Sequence, residues 1–136
     1  AYPSGKPIVA VPTFDAVARN VTGFEGVICP VLDARKNKVY AALYRSGKKG
    51  IKKISKYLLL PASELMKLTG KYDKIFFLGD GVKIIGHQEN EAFDWYPRAE
   101  VLGKLALESF KKKTFISPEK LEPMYLYSED CLITGK

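Results

Sequence analysis

Residues 27 to 44 place two apolar runs on either side of one polar tetrapeptide, Arg35-Lys36-Asn37-Lys38. That pattern predicts a hairpin, because asparagine tolerates the left-handed backbone of a tight reversal. Both faces of both runs are apolar or nearly so. Val27, Cys29 and Val31 point one way, and Ile28 and Leu32 the other. Across the turn, Val39, Ala41 and Leu43 oppose Tyr40, Ala42 and Tyr44. Strands apolar on both sides belong in the middle of a sheet covered on both faces. The polar exception, Asp33-Ala34-Arg35, falls at the end of the first strand.

Around this hairpin the chain alternates. Ile8–Val11 predicts a short strand, and Thr13 the cap of a helix. Phe14, Val17, Ala18 and Val21 form its buried stripe and Gly23 its stop. After a Gly47–Gly50 turn, Ile51–Leu60 reads as a third antiparallel strand, its lysines toward an edge. Pro61 then opens a helix facing inward through Ala62, Leu65, Met66 and Thr69. Ile75–Leu78 is a short buried parallel strand running into Gly79-Asp80-Gly81 and a helix over Val82–Ile85. A further short strand is expected over Ala92–Tyr96. The clearest helix spans Arg98–Lys113, with a stripe of Leu102, Leu105, Ala106 and Ser109. The tail from Ser117 reads as extended chain. The predicted class is α/β: a ribonuclease H-like (actin-like ATPase) lobe. Its mixed sheet has three antiparallel strands followed by alternating helices and parallel strands.

With 136 residues one core is expected. No run approaches the about eighteen apolar residues of a membrane-spanning helix, so no membrane role is expected. The N-terminus shows no signal-peptide pattern. Cys29 and Cys131 are far apart, and Cys29 is a small buried hydrophobe, which favours free thiols in a reducing compartment. His87 is the one histidine, and no paired Cys or His spacing is present, so neither a metal site nor a cofactor is expected. The net charge is +7. Much of it lies in Lys48, Lys49, Lys52, Lys53 and Lys56, and in Lys111, Lys112 and Lys113. These are either a solvated face or the footprint of a nucleic acid or acidic partner.

Five residues are candidate binding positions: Asp33, Arg35, Gly79, Asp80 and Gly81. Asp33 and Arg35 either form a functional pair or brace the turn, the carboxylate accepting amide hydrogens. Asp33 and Asp80, both at strand ends, resemble metal-binding carboxylates of a nuclease. Two-metal chemistry needs a third converging carboxylate, and none is apparent. The glycine turn either lets a backbone approach a nucleotide or serves strand-to-helix geometry. No residue is expected to be catalytic.

Four stretches together carry a resemblance. They are Val9–Ala18, Leu32-Asp33-Ala34-Arg35 with Val39-Tyr40, Gly79-Asp80-Gly81, and Glu122-Pro123-Met124-Tyr125-Leu126. They resemble the bacterial tRNA threonylcarbamoyladenosine biosynthesis family TsaB, also called YeaZ, from about Ile8 to Lys136. Two positions depart from the family pattern: Lys38 stands where glutamate is usual, and Tyr127 where arginine is. The resemblance implies the second of two actin-like lobes (27–136). Residues 1–26 are then a lead-in strand and helix from the inter-lobe junction, the first lobe being absent. It also implies a non-catalytic, cytoplasmic scaffold in the synthesis of N6-threonylcarbamoyladenosine (t6A) at position 37 of tRNA. Partners through the full-length protein would be TsaD and TsaE, with a homodimer open and tRNA met only indirectly. Since the family contacts TsaD mainly through the first lobe, weak binding of TsaD or none is expected here. The alternative is a basic nucleotide- or RNA-binding module. A glycoprotease-like hydrolase is opposed by the lone histidine.

Overall fold

The computed structural model describes residues 4–87 and 93–123. Its elements in order are α1 (Thr13–Ala18), β1 (Gly26–Asp33), β2 (Lys38–Ala41), β3 (Tyr44–Gly47), β4 (Gly50–Lys53) and β5 (Leu58–Pro61). There follow α2 (Ala62–Thr69), β6 (Ile75–Leu78), a 3₁₀ turn (Asp80–Lys83), α3 (Ala99–Lys111) and a 3₁₀ turn (Pro118–Lys120). The fold is α/β, a curled and mainly antiparallel sheet with few helices.

β1 is the centre of the sheet. It pairs antiparallel with β2 (Leu32↔Tyr40) and with β3 (Val27↔Arg45), and parallel with β6 (Cys29↔Phe77). The expected return strand is therefore split in two. The register does not slip across the split, because Val31↔Ala41 and Ile28↔Tyr44 lie on one ladder. Between them lie Cys29 and Pro30, and Pro30 has no N–H to give, so pairing lapses opposite Ala42 and Leu43. Leu43 points its backbone away from β1: its amide donates to Ser55 Oγ at 2.8 Å, and its carbonyl accepts from the Ile54 amide at 2.8 Å. The third strand is split as well. Ala41↔Leu58 and Tyr44↔Lys53 are three residues apart on one side and five on the other, so Ile54–Tyr57 bulges.

The two faces of the hairpin become two cores, as the alternation requires. Val27, Cys29, Val31, Val39, Ala41 and Leu43 pack with Leu65 of α2, Phe77 and Val82. Ile28, Ala42 and Tyr44 pack with Phe14, Val17, Ala18 and Val21 of the α1 region, with Leu32 and Tyr40 beside them. α2 turns Leu65 and Thr69 inward, Ala62 and Met66 are partly buried against the same core, and Thr69 Oγ1 donates to the Leu65 carbonyl at 2.9 Å. Along α3, Leu105 is buried while Leu107 and Phe110 are exposed.

Four local expectations change. Ile8–Val11 is not a strand; Ile8 makes an isolated bridge to Ile116, so the apolar run finds one partner residue and no ladder. Pro12, not Thr13, occupies the cap position of α1 and has no side-chain oxygen to offer. The helix over Val82–Ile85 is a 3₁₀ turn, confined between Gly79 (φ 119°) and Gly86 (φ 80°). Phe93–Tyr96 is irregular, tied down by Asn20, whose Nδ2 donates to the Asp94 and Tyr96 carbonyls at 2.7 and 2.8 Å. Readings that fall on residues 88–92 and 124–136, including Tyr125, Tyr127 and Cys131, lie outside the described residues.

Candidate functional site

β1 and β6 run parallel, so their C-terminal ends lie side by side and carry Asp33 and Asp80 to one junction. The Asp33 amide donates to Asp80 Oδ1 at 2.9 Å, and the Arg35 amide donates to Asp33 Oδ1 at 2.7 Å. Asp33 thus holds a backbone N–H of the turn that follows it, and Asp80 holds the N–H at the end of β1. Ala34 N–H to the Lys38 carbonyl, at 3.0 Å, closes the hairpin. Within it Arg35, Lys36 and Asn37 all take positive φ, at 68°, 53° and 59°. Asparagine was expected to do this; three successive residues in that region were not.

Gly79 and Gly81 are where they are for want of room. A Cβ on Gly79 would lie 2.0 Å from the Val31 carbonyl oxygen, and φ there is 119°. A Cβ on Gly81 would meet the Leu32 carbonyl carbon and Val31 Cγ1, each at 2.8 Å. The turn is pressed against the end of β1. The structure therefore brings Asp33, Gly79, Asp80 and Gly81 together, and Arg35 joins them through its backbone.

A second carboxylate cluster lies on the other face, and sequence reasoning missed it. Asp15, in the first turn of α1, accepts the hydroxyls of Tyr44 and of Tyr57 on the same oxygen, the latter at 2.7 Å. Burial and then Asp15 raise both phenol pKa values well above the ordinary range, so both tyrosines stay neutral donors. Lys53 Nζ stands 3.9 Å above the Tyr57 ring. The cluster borders a groove of about 790 Å³ lined by Pro12, Phe14, Leu32, Tyr40, Tyr57 and Leu121. Its partners are 29 and 42 residues apart, so no local spacing signals it.

Cys29 is fully buried, and burial pushes its thiol pKa far up, which makes it unreactive. His87 is exposed and rests against Phe77, ring centroids 4.8 Å apart. Among the described residues no three His, Cys, Asp or Glu side chains converge on a possible metal position. No helix among them is long and apolar enough to cross a membrane.

Residues 1–119 match the family model described as TsaD: tRNA N6-adenosine threonylcarbamoyltransferase. The chain belongs to this family. No curated protein matches it. Two solved structures from Pseudomonas aeruginosa share its fold. One, an uncharacterized protein with similarity to the peptidase YEAZ, is 21% identical, with a TM-score of 0.69 over 90% of this chain and 60% of that one. The other, YeaZ, is 21% identical, with a TM-score of 0.68 over 89% of this chain and 60% of its own. The chain thus resembles YeaZ, as its sequence implied, and spans about 60% of the length of these two structures.

Proposed function

We propose that this chain is a scaffold lobe of the machinery that makes t6A at position 37 of tRNA, acting in the cytoplasm beside TsaD and TsaE and performing no chemistry itself. In this reading the mixed sheet is a ribonuclease H-like, actin-like lobe, and β2–β3 and β4–β5 are its two interrupted antiparallel strands. Membership of the TsaD family and the YeaZ fold support the pathway. The family description names a transferase, so the absence of catalysis needs its own support.

One observation carries it. The two carboxylates at the strand-end junction are engaged with backbone amides, and the glycines beside them are filled by the end of β1. A catalytic carboxylate needs to face a reacting atom; here one oxygen of each is taken by a backbone amide of the protein itself. The binding role of Asp33, Arg35, Gly79, Asp80 and Gly81 is then to shape a surface rather than to hold a ligand.

The test is t6A content, measured by mass spectrometry of tRNA from cells whose native protein is replaced by Asp33→Asn or Asp80→Asn. A scaffold predicts t6A in proportion to the amount of folded protein. Loss of t6A with abundance and melting temperature unchanged would overturn the reading.

A further inference from the structure

The fold brings positive charge together from separate elements as well as from the lysine runs. Arg45 of β3 sits directly opposite Lys52 of β4. Like charges facing across a ladder destabilise it. Beside them the turn from α2 into β6 contributes Lys71, Tyr72 and Lys74, and a cavity of about 380 Å³ opens between Arg45 and that turn. Arg45 Cζ lies 6.0 Å and Lys71 Nζ 5.3 Å from the centroid of the Tyr72 ring. Asp73 is the one carboxylate lining this cavity. Arg19, Arg98 and Lys104 find carboxylate partners. Among the described residues Arg45, Lys52, Lys71 and Lys74 do not.

We propose that Arg45, Lys52, Lys71 and Lys74, gathered about Tyr72, form a contact site for the phosphodiester backbone of RNA. Four cations against one nearby carboxylate leave an excess of positive charge, which favours a polyanion that neutralises several at once and releases its own condensed counterions. An aromatic ring among them adds a surface on which a base can stack. The choice of RNA over an acidic protein rests on the proposed role in tRNA modification. The site lies on the face of α2, whereas Asp15, Tyr44 and the groove lie on the face of α1. Direct contact with tRNA replaces the indirect relation that the family resemblance implies.

Binding of an unmodified tRNA transcript to the full chain tests this, measured by fluorescence anisotropy across a salt series. Arg45→Gln/Lys71→Gln/Lys74→Gln is compared with Lys111→Gln/Lys112→Gln/Lys113→Gln, which removes the same charge elsewhere. The first variant is expected to lose at least about tenfold in affinity, its log–log salt slope shallower by roughly two to three, while the second changes little. Equal losses in both, or no loss in the first at unchanged melting temperature, would overturn the proposal. So would poly-glutamate competing as well as RNA at equal charge. Measuring t6A in cells carrying the first variant separates this inference from the scaffold reading. Lower t6A with intact RNA binding sinks the inference alone. Lost RNA binding with normal t6A supports the inference and leaves the scaffold reading standing.

Discussion

Asp33 with Asp80, and Asp15 with its two tyrosines, are both carboxylate clusters, yet they are built in opposite ways. The first is exposed and uses backbone amides at strand ends, so either carboxylate can be rehydrated if its partner is lost. The second gathers three side chains from α1, β3 and the bulge before β5, and Tyr44 is only 2% exposed. There a lost partner leaves the buried Tyr44 hydroxyl with no water to replace it. The comparison teaches that at the strand-end junction the rigid component is the glycine packing, while on the α1 face it is the hydrogen bonding.

The largest effect is therefore expected from Gly79→Ala. Positive φ and a Cβ 2.0 Å from the Val31 carbonyl oxygen both oppose it, for a loss of about 4 kcal/mol. Urea denaturation measures this, with Gly47→Ala, which meets nothing, as the neutral control. A Gly79→Ala protein as stable as the control would mean that the turn is not pressed against β1. Next is Asp15→Ala, which orphans the buried Tyr44 hydroxyl and takes the acceptor from the half-buried Tyr57, and should cost about 2–3 kcal/mol. Tyr44→Phe, removing one donor and leaving Asp15 bonded to Tyr57, should cost about 1 kcal/mol. If Asp15→Ala costs no more than Tyr44→Phe, the α1 cluster is no more demanding than an exposed turn.

Much of the fold was legible because it is periodic. Alternation along residues 27–44 placed each side chain in the correct one of two cores, and the apolar stripes of α1 and α2 were assigned to the core, although α1 ends at Ala18, before Val21 and the expected stop at Gly23. What failed was set by single backbone groups or by distance. Pro30 sits within an unbroken apolar run, and only its missing N–H divides the partner strand. Ile8–Val11 is apolar enough for a strand, but its neighbour is one residue of a segment more than a hundred positions away. At the junction, the meeting of Asp33 and Asp80 was readable, since each ends a strand beside a turn. Asp15 was invisible as a site, because in sequence it is one acid in the first turn of a helix.

The α1 cluster also predicts a pH dependence of intermediate size. Both phenols are harder to ionise folded than unfolded, because burial and Asp15 oppose the phenolate. Above the ordinary phenol value of 10.0, the unfolded chain loses protons that the folded chain keeps. Stability is then fully present below that pH and falls as pH rises through it. Urea midpoints at pH 9, 10 and 11 should fall more steeply for the native sequence than for Tyr44→Phe. Lysine titration is common to both and cancels. Parallel lines would mean that the Tyr44 proton is not held by the fold.

The smallest effect belongs to the junction's own carboxylates. Asp33→Ala removes the acceptor of the Arg35 amide, but that amide is at an exposed turn and water can take the bond. The loss should be about 0.5–1 kcal/mol, below that of Asp15→Ala. Arg35, Lys36 and Asn37 nevertheless occupy left-handed backbone that costs a non-glycine residue roughly 1 kcal/mol each. If the Asp33 carboxylate is what holds that conformation, Arg35→Gly should rescue Asp33→Ala, since glycine adopts positive φ without help. A double-mutant cycle reads this directly: a coupling near zero would assign the hairpin's shape to the Ala34–Lys38 bond, and a coupling of the size of the Asp33→Ala loss would assign it to the carboxylate.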